Sequence, residues 1–373
     1  MNRHVEIVAP VAARLIAQVE NDFDFLSAEY RELFARSGAT AFQGPLWLHC
    51  IYTILVRRLG AKPHIVTVRS STGELVMVIP LVLQRTFEVN ILQPADLGVS
   101  DYNCIIAERH MMTAAALDDD LRSRIRELLD PADILIFRKI PYCPAAVAAI
   151  LGNGSRQLAE NAGYELALGA GTFEEWQKSR LKKKFRNGLR RRRRNLENDH
   201  ENVGFVALTA PGDIENAIRF IRDLRTARFD DDILLQDAYL DFYLHFAVTG
   251  AASGEAVTSG LVVDGRLISA DFGIVSGKTH YSILCASNID EYGSYSPGLQ
   301  SLFAAIRHSH EQGQTRFNFG IGRTRQKTDF GSTEIPVYNL TVARSASGQL
   351  VSLIYNRAKP LKTFLRRMTG WIR

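Results

Sequence analysis

The stretch of this 373-residue chain densest in groups that could do chemistry runs from Tyr292 to Gly331, YGSYSPGLQSLFAAIRHSHEQGQTRFNFGIGRTRQKTDFG. Tyr295, Ser296, Pro297, Gly298 and Leu299 open an apolar periodicity in which Leu299, Leu302, Phe303 and Ile306 share one helical face. Serine suits an N-cap, proline the first helical position, and glycine brings no side chain. A helix start of this kind offers unpaired N–H groups and a positive dipole end, which suit a phosphate; an ordinary capped helix reads the same way. Further on, Lys327, with Arg323 and Arg325, follows a strand end, where α/β sheets commonly hold ligand groups. These cations would hold a phosphate or an acidic substrate, or simply face water.

Two carboxylates stand where a general base is useful. Asp271 lies in the alternating run LISADFGIV, which sets Ser269 and Asp271 opposite Ile268, Ala270, Phe272 and Ile274. That face is either the reacting one or a solvated one. The neighbouring strand offers His280 and Ser282 on one side, and His280 is a candidate contact for an anionic substrate. Asp101 with Tyr102 forms the second catalytic pair, against which stands a simple turn hydrogen bond at a strand start.

Residues 180–194, RLKKKFRNGLRRRRR, carry ten basic groups and no acid. Without them the net charge falls from +5 to −5, and without the basic Arg357–Arg373 as well it falls to −11. An acidic body with two basic elements argues for specific anionic contacts rather than a broad nucleic-acid surface. At 100° per residue Leu181, Phe185, Gly188, Leu189 and Leu196 form a stripe with Arg192 in its middle. The remaining charges are explained by water, but a buried Arg192 needs an anionic or strongly polar partner.

The elements that must position these groups repeat. Helices are predicted over Phe23–Arg36, Pro45–Leu59 and Met112–Leu129, with strands at His64–Arg69, Glu74–Gln84, Phe87–Leu92, Tyr102–Ala107 and Ile134–Phe137. The second half predicts strands at Val203–Leu208, Ala256–Val263, Leu267–Val275, Thr279–Ala286, Thr315–Phe319 and Val337–Val342. Its helices are expected at Asp213–Arg228, Ala238–Val248 and Pro297–Glu311, with an amphipathic one closing the chain. GELVMVIPLVL parallels GRLISADFGIV, DYNCIIA parallels HYSILCA, and DILIFRKIP parallels TRFNFGIG. A duplicated α/β unit is the expected fold class: residues 1–175, a basic linker helix over 176–200, and residues 201–373.

Composition is that of an ordinary globular protein, and no stretch approaches the roughly 20 apolar residues of a membrane span. The start of the chain lacks a signal-peptide layout, so a cytoplasmic protein is expected. Cys50, Cys104, Cys143 and Cys285 are scattered and read as reduced, mostly buried thiols. His308 and His310, two apart on a helix, cannot share a metal from one face, and no metal or resident cofactor is expected. The acidic runs Asp118–Asp120 and Asp230–Asp232 read as helix ends and turns.

Several of these segments occur together in one family. Strand–hairpin–strand followed by Y-S-P-G at a helix start, F-x-F-G-x-G and K-x-x-F-G resembles the CelD/BcsL-type acetyltransferases of the GNAT superfamily. KKKFRNGLRRRRRNLE, LGVSDYNCIIA and FQGPLWLHC are similar to further segments of that family, so the resemblance spans Phe42 to Gly331. It implies two tandem GNAT-like units with central mixed sheets, joined by the basic helix. It further implies acyl-CoA as co-substrate, contacting Tyr295, Ser296, Gly298, Leu299 and Lys327, with a backbone N–H stabilising the oxyanion. The implied acceptor is an amine or hydroxyl on a small molecule, a saccharide or an envelope precursor. Arg192, His280 and Arg323 are the residues for substrate or anion contact. The pyrophosphate loop departs from the usual Gly-rich form, and Gly322–Lys327 lacks the acidic and aromatic residues of G-x-E-x-Y-K. The layout also resembles the Fem-type transferases, whose donor is an aminoacyl-tRNA, although no long helical arm interrupts the second half here. A third reading is a non-catalytic module binding RNA or an anionic membrane through its basic elements, with Arg357–Arg373 as a peripheral membrane contact.

Overall fold

The computed structural model describes residues 15–86 and 88–357 and builds two sheets from fifteen strands. They are β1 (Ile16–Val19), β2 (Lys62–Arg69), β3 (Leu75–Thr86), β4 (Val89–Pro94), β5 (Ile106–Ala107), β6 (Ile134–Ile140), β7 (Ser155–Leu158), β8 (Gly163–Ala167), β9 (Val203–Leu208), β10 (Ala256–Val263), β11 (Arg266–Ser276), β12 (Thr279–Ser287), β13 (Arg316–Ile321), β14 (Thr333–Ile335) and β15 (Tyr338–Ala343). The first sheet runs β1-β2-β3-β4-β6-β15-β7, with the short β5 also on β3. The second runs β9-β10-β11-β12-β13-β8-β14.

The expected duplication is visible in this order. Each sheet begins with four antiparallel strands, the first followed by a helical connection and the next three joined by short turns, then crosses over through helix to a parallel neighbour. The parallel contact is brief in both: Ile91 and Leu92 pair with Ile134 and Leu135, and Thr279, His280 and Tyr281 with Arg316, Phe317 and Asn318. The next position in each sheet is filled from elsewhere in the chain. β8, which precedes the basic helix, pairs with β13 in the second sheet, and β15 pairs with β6 and β7 in the first. The sheets therefore do not follow the sequence boundary at residue 175.

Between the sheets lies a common apolar core. Phe42, Trp47 and Tyr102 from the first half interleave with Tyr239, Phe242, Phe246, Phe272 and Tyr281 from the second. The Trp47 ring meets Phe242 and Phe246 edge-on at 4.9 and 4.7 Å. Aromatic side chains bury large areas in such contacts, so this packing fixes how one sheet faces the other.

Most expected elements are present, and Ala256–Val263 and Pro297–Glu311 match to the residue. The differences have local causes. The helix expected over Met112–Leu129 is two, Arg109–Leu117 and Asp119–Glu127, because the Asp118 carboxylate accepts from Leu121 N and starts a new helix. Pro45–Cys50 is α-helical, but Ile51–Val56 winds as a π-helix. The strand expected over Tyr102–Ala107 shrinks to Ile106–Ala107, and the preceding residues form a loop. β1, β7, β8, β14 and the helices Pro144–Leu151 and Phe173–Arg180 were not expected. The basic helix spans Lys183–Asp199, and the final helix is described over Ala346–Arg357; most of the basic Arg357–Arg373 lies outside the described residues. The four cysteines are free, yet only Cys50 is buried, while Cys143 and Cys285 are exposed. Among the described residues no helix is long and apolar enough to cross a membrane.

Candidate active site

Several of the separate sequence motifs meet at one place, where β12 and β13 part. Their pairing ends at Tyr281 and Asn318, and a bulge shifts the β11–β12 register between Phe272 and Gly273. A bulge bends its strand and leaves a residue unpaired, so β12 turns away from β13 and opens a gap. Into this gap reaches the loop after β4.

That loop is held from three sides. Gln43 Nε2 donates to the Tyr102 carbonyl at 2.9 Å, and Trp47 Nε1 donates to Ser100 Oγ at 3.0 Å. Phe42 packs edge-on against both Tyr102 and Tyr281. Beneath it the fully buried Asp96 accepts from Arg138 at 2.9 Å and from Asn103 at 2.9 Å, while Lys139 Nζ donates to the Ser100 carbonyl at 2.6 Å. Burial alone would raise the Asp96 pKa, but Arg138 and Lys139 outweigh it and keep the carboxyl below its ordinary range. Asp96, Asn103, Arg138 and Lys139 were not singled out from sequence; the signal was a basic pair inside the otherwise apolar run ILIFRKI.

The clamped loop delivers Asp101 and Tyr102 to the second sheet. Asp101 Oδ2 accepts from Ile321 N at 3.1 Å, and the Tyr102 hydroxyl donates to Asn318 Oδ1 at 3.1 Å. Two glycines make these contacts feasible. A Cβ at Gly320 would lie 2.1 Å from Asp101 Oδ2, and one at Gly163 would lie 2.0 Å from the Tyr102 hydroxyl. Gly320 also has φ +69°, a backbone that side-chain-bearing residues rarely adopt. Lys327, on the short helix Arg325–Asp329, donates to the carbonyls of Gly320 and Ile321 at 3.3 and 3.1 Å. Burial raises the Asp101 pKa; Lys139, the Ile321 N–H and Lys327 offset it only in part. Burial likewise lowers the Lys327 pKa, with Asp101 acting in the opposite sense. Asp101 is half-buried, and no other hydrogen bond to its carboxylate is found among the described residues.

The other sequence candidates are dispersed. Asp271 is only 6% exposed and accepts from the buried Ser301 hydroxyl beneath the helix Pro297–Glu311. Burial pushes its pKa up to about 6, the Ser301 bond partly offsetting this. It is thus on neither a solvated face nor the gap. His280 is stacked on Phe317 and bonded to Ser309, and burial lowers its pKa to about 3. A neutral, enclosed ring brings no charge to an anion, which corrects the expectation for His280. Tyr102, at 1% exposure, is enclosed too, and burial raises its pKa. Ser296 occupies the N-cap position, but in a left-handed conformation (φ 53°) whose side chain makes no capping bond. Gly298 sits against the end of β12, where a Cβ would lie 2.8 Å from Ser287 Oγ, and Leu299 is half-buried. The Tyr295 hydroxyl donates to Asp199 at 2.7 Å, tying this loop to the end of the basic helix. Arg323 is exposed. Arg192 is half-buried rather than enclosed, its Nη1 lying over Gly188, with no hydrogen bond or ion pair among the described residues. Its neighbour Arg193 makes the anchoring bonds instead, to Glu197 at 2.6 Å and to the Val203 carbonyl at 2.8 Å.

Comparison with known proteins sets this geometry in context. Residues 183–328, from the basic helix through Lys327, match the family model described as the acetyltransferase (GNAT) domain. No curated protein sequence matches the chain. Among solved structures it is similar to FemX, at 10% identity and TM-score 0.61, over 91% of this chain and 99% of that one. It is also similar to L-PGS from Bacillus licheniformis, at 15% identity and TM-score 0.55, over 93% and 97%. A conserved protein of unknown function from Bacteroides thetaiotaomicron gives 11% identity and TM-score 0.55, over 88% and 100%. Such likenesses run through both sheets and define the fold.

Proposed function

We propose that the chain is an acyltransferase that moves an acyl group directly from acyl-CoA to an amine or hydroxyl, with Asp101 as general base. The observation that carries this is a carboxylate of raised pKa delivered from one sheet into the gap between β12 and β13 of the other. Ser282, beside Gly320, and Ser287, beside Gly298, are five residues apart on β12, roughly 17 Å of extended strand. That span suits a pantetheine arm, with the pyrophosphate at Tyr295–Leu299 and the thioester near Asp101. Asp101 removes the acceptor's proton as its nitrogen or oxygen attacks the thioester carbonyl. N–H groups on the β12 edge that no longer faces β13 meet the developing oxyanion. The C–S bond then breaks, and the departing thiolate takes up the proton held by Asp101. Lys327 positions the backbone that receives Asp101. The acceptor class we favour is a saccharide or envelope precursor, of the kind the CelD/BcsL resemblance implies.

Release of free thiol from acetyl-CoA in the presence of amines and aminosugars tests this reading. Asp101→Asn retains an oxygen for Ile321 N and is expected to lower turnover by about 10²–10⁴ while leaving CoA affinity nearly unchanged. Unaltered turnover in that variant would overturn the assignment. A second reading, an aminoacyl-tRNA donor of the Fem type, is favoured by the whole-chain likeness to FemX. Consumption of aminoacyl-tRNA without thiol release from acetyl-CoA would select it.

A further inference from the structure

The basic pair at the end of β6, in the run ILIFRKI, breaks the alternation of its strand. Ile134 and Ile136 pack on one side of the sheet, Leu135 and Phe137 in the apolar cluster on the other. Continued alternation would send Arg138 to the first side and Lys139 into that cluster. Instead the register against β15 slips. Phe137 pairs with Leu340 and Ile140 with Tyr338, so Arg138 and Lys139 both stand opposite Asn339. This is a β-bulge, and Lys139 takes φ +57°, a left-handed backbone that lysine rarely adopts. Asn339 Oδ1 accepts from the Lys139 N–H at 3.0 Å, and the Lys139 carbonyl accepts from Asn103 N at 2.9 Å. Past the bulge Ile140 rejoins Leu135 and Phe137, while Lys139 turns with Arg138 toward the loop after β4. Bulges re-aim side chains in this way, often beside active sites.

Lys139 Nζ donates to the Ser100 carbonyl at 2.6 Å and so grips the peptide that joins Ser100 to Asp101. Its one ion pair among the described residues is a long one, 3.6 Å to Asp96, whose carboxylate Arg138 holds at 2.9 Å. Much of the ammonium charge is therefore left for the next anion along the loop, which is Asp101. Lys327 acts on Asp101 from the helix Arg325–Asp329 in the same sense, and Asp96 opposes both from within the loop. Tyr102 and, on the helix Asp237–Ser253, Tyr243 also feel the Asp101 charge, but burial holds both phenols protonated. Burial favours the neutral Asp101 carboxyl. Lys139 is the strongest influence in the other direction, ahead of the Ile321 N–H and Lys327.

We infer that the bulge in β6 aims Lys139 at the Asp101 loop, where its charge supports Asp101 as an ionised base and its grip on Ser100 sets where that base stands. Lys139 is a positioning residue, acting on the reaction through Asp101. A neutral donor would satisfy the Ser100 carbonyl equally well and would avoid the cost of enclosing an ammonium. The charge therefore points to the carboxylate beside it. The inference rests on the reading of Asp101 as the general base of the proposed transfer.

The pH dependence of thiol release from acetyl-CoA, with an aminosugar as acceptor, tests it in the parent, Lys139→Gln and Lys139→Arg. Glutamine removes the charge but keeps a donor for the Ser100 carbonyl; arginine keeps both. Without the cation the carboxylate ionises at higher pH. The acidic limb of kcat/KM should therefore move up by about 1–3 pH units in Lys139→Gln, and lie within about half a unit of the parent in Lys139→Arg. A lower plateau with an unmoved limb would reduce Lys139 to a brace for the loop and overturn the inference. A limb moved as far by arginine as by glutamine would do the same. A second readout needs no turnover. Asp101→Cys places a thiol at the same point, and its alkylation by iodoacetamide is followed against pH by peptide mass spectrometry. The midpoint should rise by about one unit or more when Lys139→Gln is added. An unchanged midpoint would show that the charge does not reach position 101, whatever the turnover. Full turnover in Asp101→Asn would instead sink the base reading, on which the thiol titration does not depend.

Discussion

Asp101 and Asp271 are both carboxylates whose pKa burial raises, yet only Asp101 stands at a gap. For Asp271 the consequence is one of stability. Its pKa is about 6 in the fold against an ordinary 3.8, so the folded state holds a proton that the unfolded chain releases between those values. The stability gained from this proton is complete below about pH 4 and lost as pH rises through 6, a change of roughly 3 kcal/mol. Asp271→Asn should therefore melt higher than the parent at pH 8, with the difference shrinking as pH falls toward 4, and should keep most of its turnover. A pH-independent difference, or a loss of turnover as large as that of Asp101→Asn, would show that Asp271 acts at the reacting centre. Strand alternation was enough to place Asp271 opposite Ala270 and Phe272, but it does not say what covers that face. The helix Pro297–Glu311 does, through Ser301.

At the scale of elements, the gap depends on glycine as much as on acid. A methyl group at Gly320 would occupy the position of Asp101 Oδ2 and would also strain a left-handed backbone. We expect Gly320→Ala to cost about 1–2 kcal/mol from the backbone alone and to reduce turnover nearly as far as Asp101→Asn. Thermal melts paired with the thiol-release assay check this, and full activity in Gly320→Ala would show that Asp101 is not needed where it lies. The motifs FQGPLW, SDY and FNFGIG were legible one at a time, as a helix entry, a strand start and a strand end. Their meeting was not, because Gln43, Asp101 and Asn318 are separated by long stretches of chain and brought together only by the interleaved aromatic core. The SDY segment was expected to be strand. It is loop because Asp96, Lys139, Gln43 and Trp47 satisfy its polar groups in place of a ladder.

At the scale of the molecule, the duplicated order of strands followed from turn dipeptides and alternation, whereas the exchange of β8 and β15 did not. YNLTVA overlaps the strand expected at Val337–Val342, whereas GYELA was not expected as a strand, and nothing local says which sheet receives either. The exchange makes the halves interdependent. Severed at residue 200, the second piece lacks β8 and exposes the edge of β13, and the first lacks β15 and leaves β6 and β7 without their common neighbour. Open edges of this kind aggregate. Neither piece is expected to melt cooperatively by itself, while co-expression of the two should restore one sharp transition. A monomeric, cooperatively melting piece spanning 201–373 would contradict this.

The position of β15 also bears on biosynthesis. Its neighbours β6 and β7 leave the ribosome some 180 residues before it does. At about 5–20 residues per second, the slot between them stays vacant for roughly 10–40 s in every round of translation. For that interval the nascent first sheet offers the open edge of β6 and the unpaired β7 to any extended segment nearby, and a chaperone that shields them would be needed most while residues 160–340 are being made.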